Sequence, residues 1–251
     1  MKLFKYKGIE LNDKEYPKTF LRDINCFLNN KIWFSKIEHL NDPFEGGYKV
    51  NFLQNKLLEK SLGETVVNDL IVSREKLLKT KKDTLGILSL TTDNKNLLMW
   101  SHYTNNHKGY CLEFDLNIHD FKFNPFNEFD LRKVNYNNVP HLDNILDKDY
   151  LKNITIKSKD WIYEKEYRFI STIYGELNYS ENCLKSIFIG ANCSSENEIM
   201  LYMLAYHKKC KLYKAKFYNG SFDLYFQELD LNNISKNINF DNLLNNFKTL
   251  L

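Results

Sequence analysis

Two glutamates and an arginine alternate in the segment WIYEKEYRF, residues 161–169. In an extended strand, alternate side chains share one face and lie about 6.6 Å apart, which predicts a common face for Glu164, Glu166 and Arg168. Two carboxylates beside a guanidinium can do acid–base work or stabilise developing positive charge. The arginine would keep at least one carboxylate ionised. The alternative is a solvated outer face with cross-strand ion pairs.

A second polar cluster lies in the turn LNDPFE, residues 40–45, directly after the aromatic segment KIWFS. Functional groups are often carried by loops of this kind. The side chains of Asn41 and Asp42 could hydrogen-bond a ligand. They could equally bond their own backbone in an Asx turn.

The third segment is NLLMWSHYTNNHKGYCLEFD, residues 96–115, which is rich in aromatic and imidazole groups. A helix here would bring Trp100, Tyr103 and His107 near one another, with His102 on an adjacent face. His102 could be an acid–base group or a polar ligand contact, although a hydrogen-bonded core histidine is the alternative. We expect the segments 31–45, 96–115 and 160–172 to meet around one site.

Several classes of function lack support in the sequence. The chain has no G-x-G-x-x-G, P-loop, H-E-x-x-H or G-x-S-x-G motif. Its 35 basic and 32 acidic residues argue against a protein that mainly coats nucleic acid. The lysines and aromatic residues of 211–218 would suit single-stranded nucleic acid or a lysine-protected edge strand. Cysteines 183, 193 and 210 with His207 fit no common zinc spacing, so ordinary thiols are favoured.

Targeting signals are also missing from the pattern. The N-terminal residues lack the apolar stretch of a signal peptide, and no segment has the roughly 18 apolar residues of a membrane span. The odd number of widely spaced cysteines favours free thiols and a cytoplasmic protein without a membrane partner. The oligomeric state is not predicted.

The apolar periodicity predicts interspersed strands and helices without a strict βαβ rhythm. This favours a single α+β domain over residues 1–251, with a mixed, mostly antiparallel sheet and flanking helices. The predicted strands are 3–6, 31–35, 86–92, 109–115, 132–136, 166–174, 186–190, 211–218 and 223–230. The first predicted helix starts at Thr19, and two more form an insertion at 50–82 that breaks near Gly63. A short helix is predicted at 96–104, with Asp93 or Asn94 as its cap. The last three predicted helices run from about Asn144 to Lys159, from Ser194 or Ser195 to Lys208, and from about 240 to 250.

The order and spacing of several motifs resemble the bacterial and phage family called domain of unknown function 2971. The motifs are FKY, WFSKIEHLNDPFE, SLTTDNKNLLMWSHYTNNHKGYCLEFD, KVNY and KSKDWIYEKEYRFI, and they extend over roughly residues 3–190. The C-terminal third matches only loosely. The layout also resembles a remote ADP-ribosyltransferase fold, in which a late strand carries an essential glutamate, sometimes as Glu-x-Glu.

This resemblance implies NAD as co-substrate and a protein or nucleic-acid acceptor, in a toxin or phage-defence effector. Glu166 would orient the nicotinamide ribose and stabilise an oxocarbenium-like transition state, and Glu164 would help to activate the acceptor. His102 is the third catalytic candidate. The implied residues for binding the dinucleotide are Tyr6, Ser35, Asn41, Asp42, Trp100, Tyr103 and Arg168. Tyr6 stands where many transferases carry histidine or arginine.

Two further interpretations stay open. The first is a non-catalytic module that binds a nucleotide, a nucleic acid end or a protein. The second is a metal-dependent nuclease, in which Asp42, Glu45, Glu164 and Glu166 would have to converge on one ion through their oxygens.

Overall fold

A computed structural model describes residues 1–9, 18–121, 127–138, 141–143, 146 and 149–249. Its helices are α1 (Lys18–Leu28), α2 (Phe52–Leu62), α3 (Glu64–Thr84), α4 (Leu97–Tyr103), α5 (Ser195–Lys208), α6 (Leu231–Ile234) and α7 (Phe240–Thr249). Its strands are β1 (Lys2–Lys7), β2 (Lys31–Phe34), β3 (Tyr48–Val50), β4 (Gly86–Thr91), β5 (Tyr110–Asp115), β6 (Phe129–Lys133), β7 (Asn135–Asn137), β8 (His141–Asp143), β9 (Ile156–Ser158), β10 (Glu166–Ser171), β11 (Gly175–Asn178), β12 (Leu184–Ile189), β13 (Lys211–Phe217) and β14 (Leu224–Glu228). Short 3₁₀ helices lie at Ile37–His39, Ile118–Asp120, Tyr150–Ile154 and Lys159–Glu164.

The chain divides into two compact units, each built from separate stretches of sequence. The first unit contains Met1–Ile32, Leu90–Lys122 and Glu176–Leu251, and the second contains Trp33–Ser89 and Phe123–Gly175. The expectation of a single domain over residues 1–251 stays a prediction. No helix among the described residues is long and apolar enough to cross a bilayer.

The first unit is built on a mostly antiparallel sheet with the strand order β14-β13-β12-β5-β1. Strand β5 is antiparallel to both β1 and β12, and β13 is antiparallel to β14. The exception is the parallel pair β12 and β13, which α5 connects, as a parallel crossover requires. Because β13 lies between β12 and β14, the interpretation of 211–218 as an edge strand is wrong.

The second unit contains the strand order β4-β10-β6 and the parallel pairs β3–β8 and β7–β9. Strand β4 continues into the first unit, where its Thr91 pairs with Phe4. Branched apolar side chains form a buried cluster in this unit, and its members are Ile37, Leu85, Ile87, Ile154 and Ile170. Together the units confirm the predicted α+β class with a mixed, mostly antiparallel sheet.

Most of the predicted elements are confirmed. The insertion forms α2 and α3, which break at Gly63 with a φ of +86° that favours glycine. Ser194 caps α5 by accepting a hydrogen bond from the Asn197 backbone. The cap of α4 is Asn96, not Asp93 or Asn94, because its side chain accepts hydrogen bonds from the Leu98 and Met99 backbone amides. Helix α7 ends at Thr249, and residue 250 lies outside the described residues.

Two predictions in the region of residues 132–159 are wrong. The predicted strand 132–136 divides at Val134, because the Val134 amide donates to Glu166 while the Asn135 amide turns to the Thr155 carbonyl. The predicted helix 144–159 is instead a 3₁₀ turn followed by β9, which pairs in parallel with β7. Residues 144, 145, 147 and 148 of that prediction lie outside the described residues.

Candidate functional site

The segment 161–169 is not one extended strand. A 3₁₀ helix ends at Glu164, Lys165 adopts a left-handed conformation with a φ of +47°, and β10 begins at Glu166. The Lys165 amide closes the turn by donating to the Ile162 carbonyl. The predicted alternation is therefore wrong for Glu164, although it holds for Glu166 and Arg168. Glu164 is linked to Glu166 through Lys157, which donates to both carboxylates, and not through a shared strand face.

The Arg168 guanidinium lies at the centre of the site, and all five of its N–H donors are used. Nη1 and Nη2 each lie 2.7 Å from an oxygen of Glu45 in a bidentate pair. Nε and Nη2 donate to the two oxygens of Glu166 at 2.8 and 2.9 Å. Nη1 also donates to the Ile154 carbonyl at 2.6 Å. Because the guanidinium fork is planar and rigid, this pattern fixes the orientation of both carboxylates.

Lys157 of β9 connects the three carboxylates. Its ammonium donates to Glu164 at 2.7 Å and lies 3.5 Å from both Glu166 and Glu45. The same nitrogen lies 4.9 Å from the ring centroid of Trp161, within the range of a cation–π contact. We call Glu45, Lys157, Glu164, Glu166 and Arg168 the ion network.

The ion network is buried. Its five side chains are between 1 and 5% exposed. The alternative of a solvated outer face is therefore wrong. Three carboxylates face two cations, so the network has a formal charge of −1 when every group is ionised. Desolvated charges are tolerated only when they are paired and hydrogen-bonded, which is what the dense pairing provides.

Opposing effects set the protonation of the network. Burial alone would raise the pKa of Glu166, but the charges and hydrogen bonds of Arg168, together with Lys157, hold that pKa at about 2. Burial opposes the charged form of Lys157, yet Glu166 and Glu164 raise the pKa of its ammonium. Glu166 is thus an ionised carboxylate inside the fold, and not a proton donor at neutral pH.

We predict that acid weakens the fold through Glu166. The unfolded chain has an ordinary glutamate pKa, so between about pH 4.5 and pH 2 it binds more protons than the folded chain, and stability rises with pH in that window. Acidification across the window should remove roughly 3 kcal/mol of unfolding free energy. Urea unfolding at a series of pH values measures this loss. In Glu166→Gln the unfolding free energy should depend less on pH across this window. An unchanged slope in that variant would contradict the lowered pKa of Glu166.

The turn at residues 40–45 carries both an internal hydrogen bond and a pocket. The Asp42 carboxylate accepts a hydrogen bond from the Phe44 amide at 2.9 Å, which confirms the Asx-turn alternative. A pocket of about 310 Å³ opens beside it. The lining residues are Ile37, Glu38, Leu40, Asp42, Pro43, Glu45, Lys82 and Asp83. Glu45 both lines this pocket and belongs to the ion network, so the network supports one wall of the pocket.

The predicted aromatic group forms in the first unit as a packed cluster. The Trp100 ring lies nearly parallel to His107, at 6.1 Å, and meets Tyr6 edge-on at 5.2 Å. The Tyr6 hydroxyl donates to the Asp93 carbonyl and the Trp100 indole donates to the Asn94 carbonyl. All three side chains are buried. The polar atoms of Tyr6 and Trp100 thus have partners inside the fold, which favours the core alternative over dinucleotide binding.

The remaining predicted site residues are not members of the ion network. His102 is exposed and Tyr103 is half-buried, and both belong to α4 in the first unit. In the second unit, Ser35 is half-buried and exchanges backbone hydrogen bonds with Ile87, and Asn41 is exposed. Among the predicted residues, the structure brings together Glu45, Glu164, Glu166 and Arg168. A single site shared by all three sequence segments stays a prediction.

The sequence did not predict two residues of the site, Lys157 of the ion network and Tyr136 beside it. Lys157 was expected in a helix, and the Tyr136 hydroxyl accepts a hydrogen bond from the Glu166 amide at 2.8 Å. Both residues come from β7 and β9, three-residue strands that pair Tyr136 with Lys157. Such short strands carry almost no periodicity, so only the family-like motifs KVNY and KSKDWIYEKEYRFI indicated that this region is important.

The metal-dependent nuclease alternative requires four carboxylates to share one ion. Instead, the oxygens of Glu45, Glu164 and Glu166 accept from Arg168 and Lys157, two cations that occupy the place of such an ion. Among the described residues, no group of three His, Cys, Asp or Glu side chains is arranged to hold a metal ion.

Comparison with known proteins supports the resemblance seen in the sequence. The model of the family described as "Protein of unknown function (DUF2971)" matches residues 99–169 of the chain. No curated protein and no solved structure matches it. The matched segment contains Lys157, Glu164, Glu166 and Arg168. Over this segment, the chain is similar to the DUF2971 family.

Proposed function

We propose that the chain is an ADP-ribosyltransferase-like enzyme that uses NAD, and that the positively charged nicotinamide end of NAD enters the pocket beside Glu45. The observation that carries the proposal is the charge of this pocket. Four of its lining residues are acidic and one, Lys82, is basic. An anionic wall favours a pyridinium cation and the oxocarbenium-like charge that develops when the bond from nicotinamide to ribose breaks.

The size and lining of the pocket define which part of NAD it would take. Its volume of about 310 Å³ is at the lower end of the range for small-molecule sites. Ile37, Leu40 and Pro43 provide apolar surface for a flat ring. With Lys82 as the one cationic lining residue, the pocket suits the nicotinamide ribose and does not suit the diphosphate.

Within this proposal the carboxylates have different roles from those that the family resemblance implies. Glu45 lines the pocket and would face the substrate, whereas Glu166 is the ionised anchor that holds Arg168. Arg168 in turn fixes Glu45 through two hydrogen bonds. A carboxylate that is already oriented stabilises a developing cation without reorganisation at the moment of reaction.

The alternative is a binding module that holds a cationic ligand without chemistry. The pairing of the carboxylates favours it, because Glu164 and Glu166 do not line the pocket and both oxygens of Glu45 already accept from Arg168. Both alternatives predict a ligand at Glu45. They differ in whether the ligand is consumed.

Incubating the purified chain with NAD and cell lysate, and measuring nicotinamide release, tests the proposal. The lysate supplies protein and nucleic-acid acceptors. We expect release by the wild-type chain and at least a tenfold loss in Glu166→Gln, since the anchor of Arg168 is weakened. Binding of NAD, detected by a thermal shift, without release would establish the binding module. The absence of both release and thermal shift would overturn the role of NAD.

A further inference from the structure

Several large apolar side chains of α2 and α3 are exposed to solvent. Leu53 and Leu57 of α2 are 79 and 67% exposed, and Val66, Val72 and Leu77 of α3 are 48, 64 and 40% exposed. Scattered apolar side chains on a surface need no explanation, but contiguous ones mark contact surfaces.

Six uncharged residues follow one face of α3 with alternating spacings of four and three residues. They are Val66, Leu70, Ser73, Leu77, Thr80 and Thr84. Three of them are apolar: Val66 and Leu77 are exposed, and Leu70 is half-buried. The alternation is the a/d spacing of a coiled-coil heptad, in which Leu70, Leu77 and Thr84 take position a. We call these six residues the seam. The buried residues of α3, Val67, Arg74 and Leu78, lie roughly 100° around the helix from the seam, so the seam is not the face used inside the unit.

The charges beside the seam alternate in sign along the helix. Asp69, Lys76 and Asp83 occupy position g on its exposed flank. When two copies of α3 run antiparallel with Val66 opposite Leu77, Leu70 meets Ser73 and Asp69 of each copy lies beside Lys76 of the other. The two-fold axis creates this ion pair twice. Antiparallel helices also oppose their macrodipoles favourably.

A parallel arrangement has no comparable solution. Position g of one helix then faces position e of the next heptad on the other, so Lys76 meets Lys81 of the second copy. The attractive counterpart would be Asp69 with Arg74, but Arg74 is only 7% exposed and belongs to the buried face. Charge complementarity therefore selects an antiparallel pairing with a second copy of this chain.

We propose that the seam of α3 is a homodimer interface, in which α3 pairs antiparallel with α3 of a second copy. The helix has 21 residues and a length of about 31 Å, and in this register the first four seam residues of each copy pair: Val66, Leu70, Ser73 and Leu77. Leu70 and Leu77 form the apolar centre, and the Asp69–Lys76 pairs fix direction and register.

Sedimentation equilibrium of the full chain tests the interface. We expect a concentration-dependent dimer for the wild type and a monomer for Leu77→Asp, which buries a charge in the seam. Val72→Asp is the matched control, because Val72 is an exposed apolar residue of the same helix that lies outside the seam. Thermal unfolding confirms that both variants are folded. A monomeric wild type at about 100 µM, or equal effects of the two variants, would overturn the proposal.

Charge exchange tests the direction of pairing. Asp69→Lys or Lys76→Asp alone should weaken the dimer about tenfold, because two attractive pairs become repulsive. The double variant Asp69→Lys with Lys76→Asp should restore wild-type affinity. Failure of the double variant to restore the dimer would contradict the antiparallel register, since no contact within one helix joins residues seven apart.

Discussion

Replacing Arg168 by methionine should lower the unfolding free energy by about 3–5 kcal/mol, the range for removing one partner of a buried ion pair. The side chain is 1% exposed and satisfies both Glu45 and Glu166. Without it, three buried carboxylates would share Lys157 alone. Urea unfolding at pH 7, followed by circular dichroism, measures the loss. Protonation of the remaining carboxylates in the folded variant would recover only part of the lost unfolding free energy.

Arg132→Met provides a matched control for this prediction. Arg132 lies on β6 directly opposite Arg168 of β10 and also pairs with two carboxylates, those of Asp130 and Asp149. Its side chain is 28% exposed, and the partners are 42 and 33% exposed, so solvent screens both pairs. We expect a loss of about 1 kcal/mol or less. Equal losses in the two variants would contradict the importance of burial.

Coupling within the network can be measured separately. Glu166→Gln removes one of the charges that Arg168→Met leaves uncompensated. The double variant should therefore be less destabilised than the sum of the two single variants, by 1 kcal/mol or more. Additive losses would mean that Glu166 and Arg168 stabilise the fold independently, in conflict with their paired hydrogen bonds.

Local patterns predicted most of the fold. Apolar spacing located α1, α5 and the long strands, and Gly63 located the break between α2 and α3. The failures share one physical cause, which is pairing between distant segments. The chain leaves β10 after Val134 because the Asn135 amide donates to the Thr155 carbonyl, and the residues of β9 extend because β7 pairs with them. Neither preference is encoded in a window of ten residues, because each partner lies at least twenty residues away.

The site was predicted in part for the same reason. The alternation of Glu166 and Arg168 is a local pattern and is present in β10. Glu45 lies 123 residues from Arg168, and the sequence offered it only as one of the four carboxylates of the metal-dependent alternative. The left-handed Lys165 also had no signal, because lysine rarely adopts this conformation. Only tertiary structure shows that these groups form a single network.

Burying the charges of the ion network costs free energy, and a role at the pocket gives a reason for their presence. A hydrophobic replacement of similar volume is often as stable as a buried ion pair, so stability alone is a weak reason for its presence. The distinguishing feature is that Glu45, one of its members, also forms a wall of the acidic pocket. In the proposed function, the cations of the network hold this carboxylate in one orientation while the excess negative charge attracts the cationic substrate.

Glu45→Gln should therefore lower nicotinamide release by at least about 100-fold at saturating NAD, the usual loss when one preorganised electrostatic group is removed. Glu164→Gln is the matched control. It is the same substitution in the same network, and the two side chains are 3 and 4% exposed, but Glu164 does not line the pocket. A network that only stabilises the fold would give both variants similar activity and similar unfolding free energies. If Glu45 faces the substrate, kcat of Glu45→Gln should be at least tenfold lower than kcat of Glu164→Gln, while the two variants have similar unfolding free energies. Only this difference in kcat supports placing Glu45 against the reacting bond.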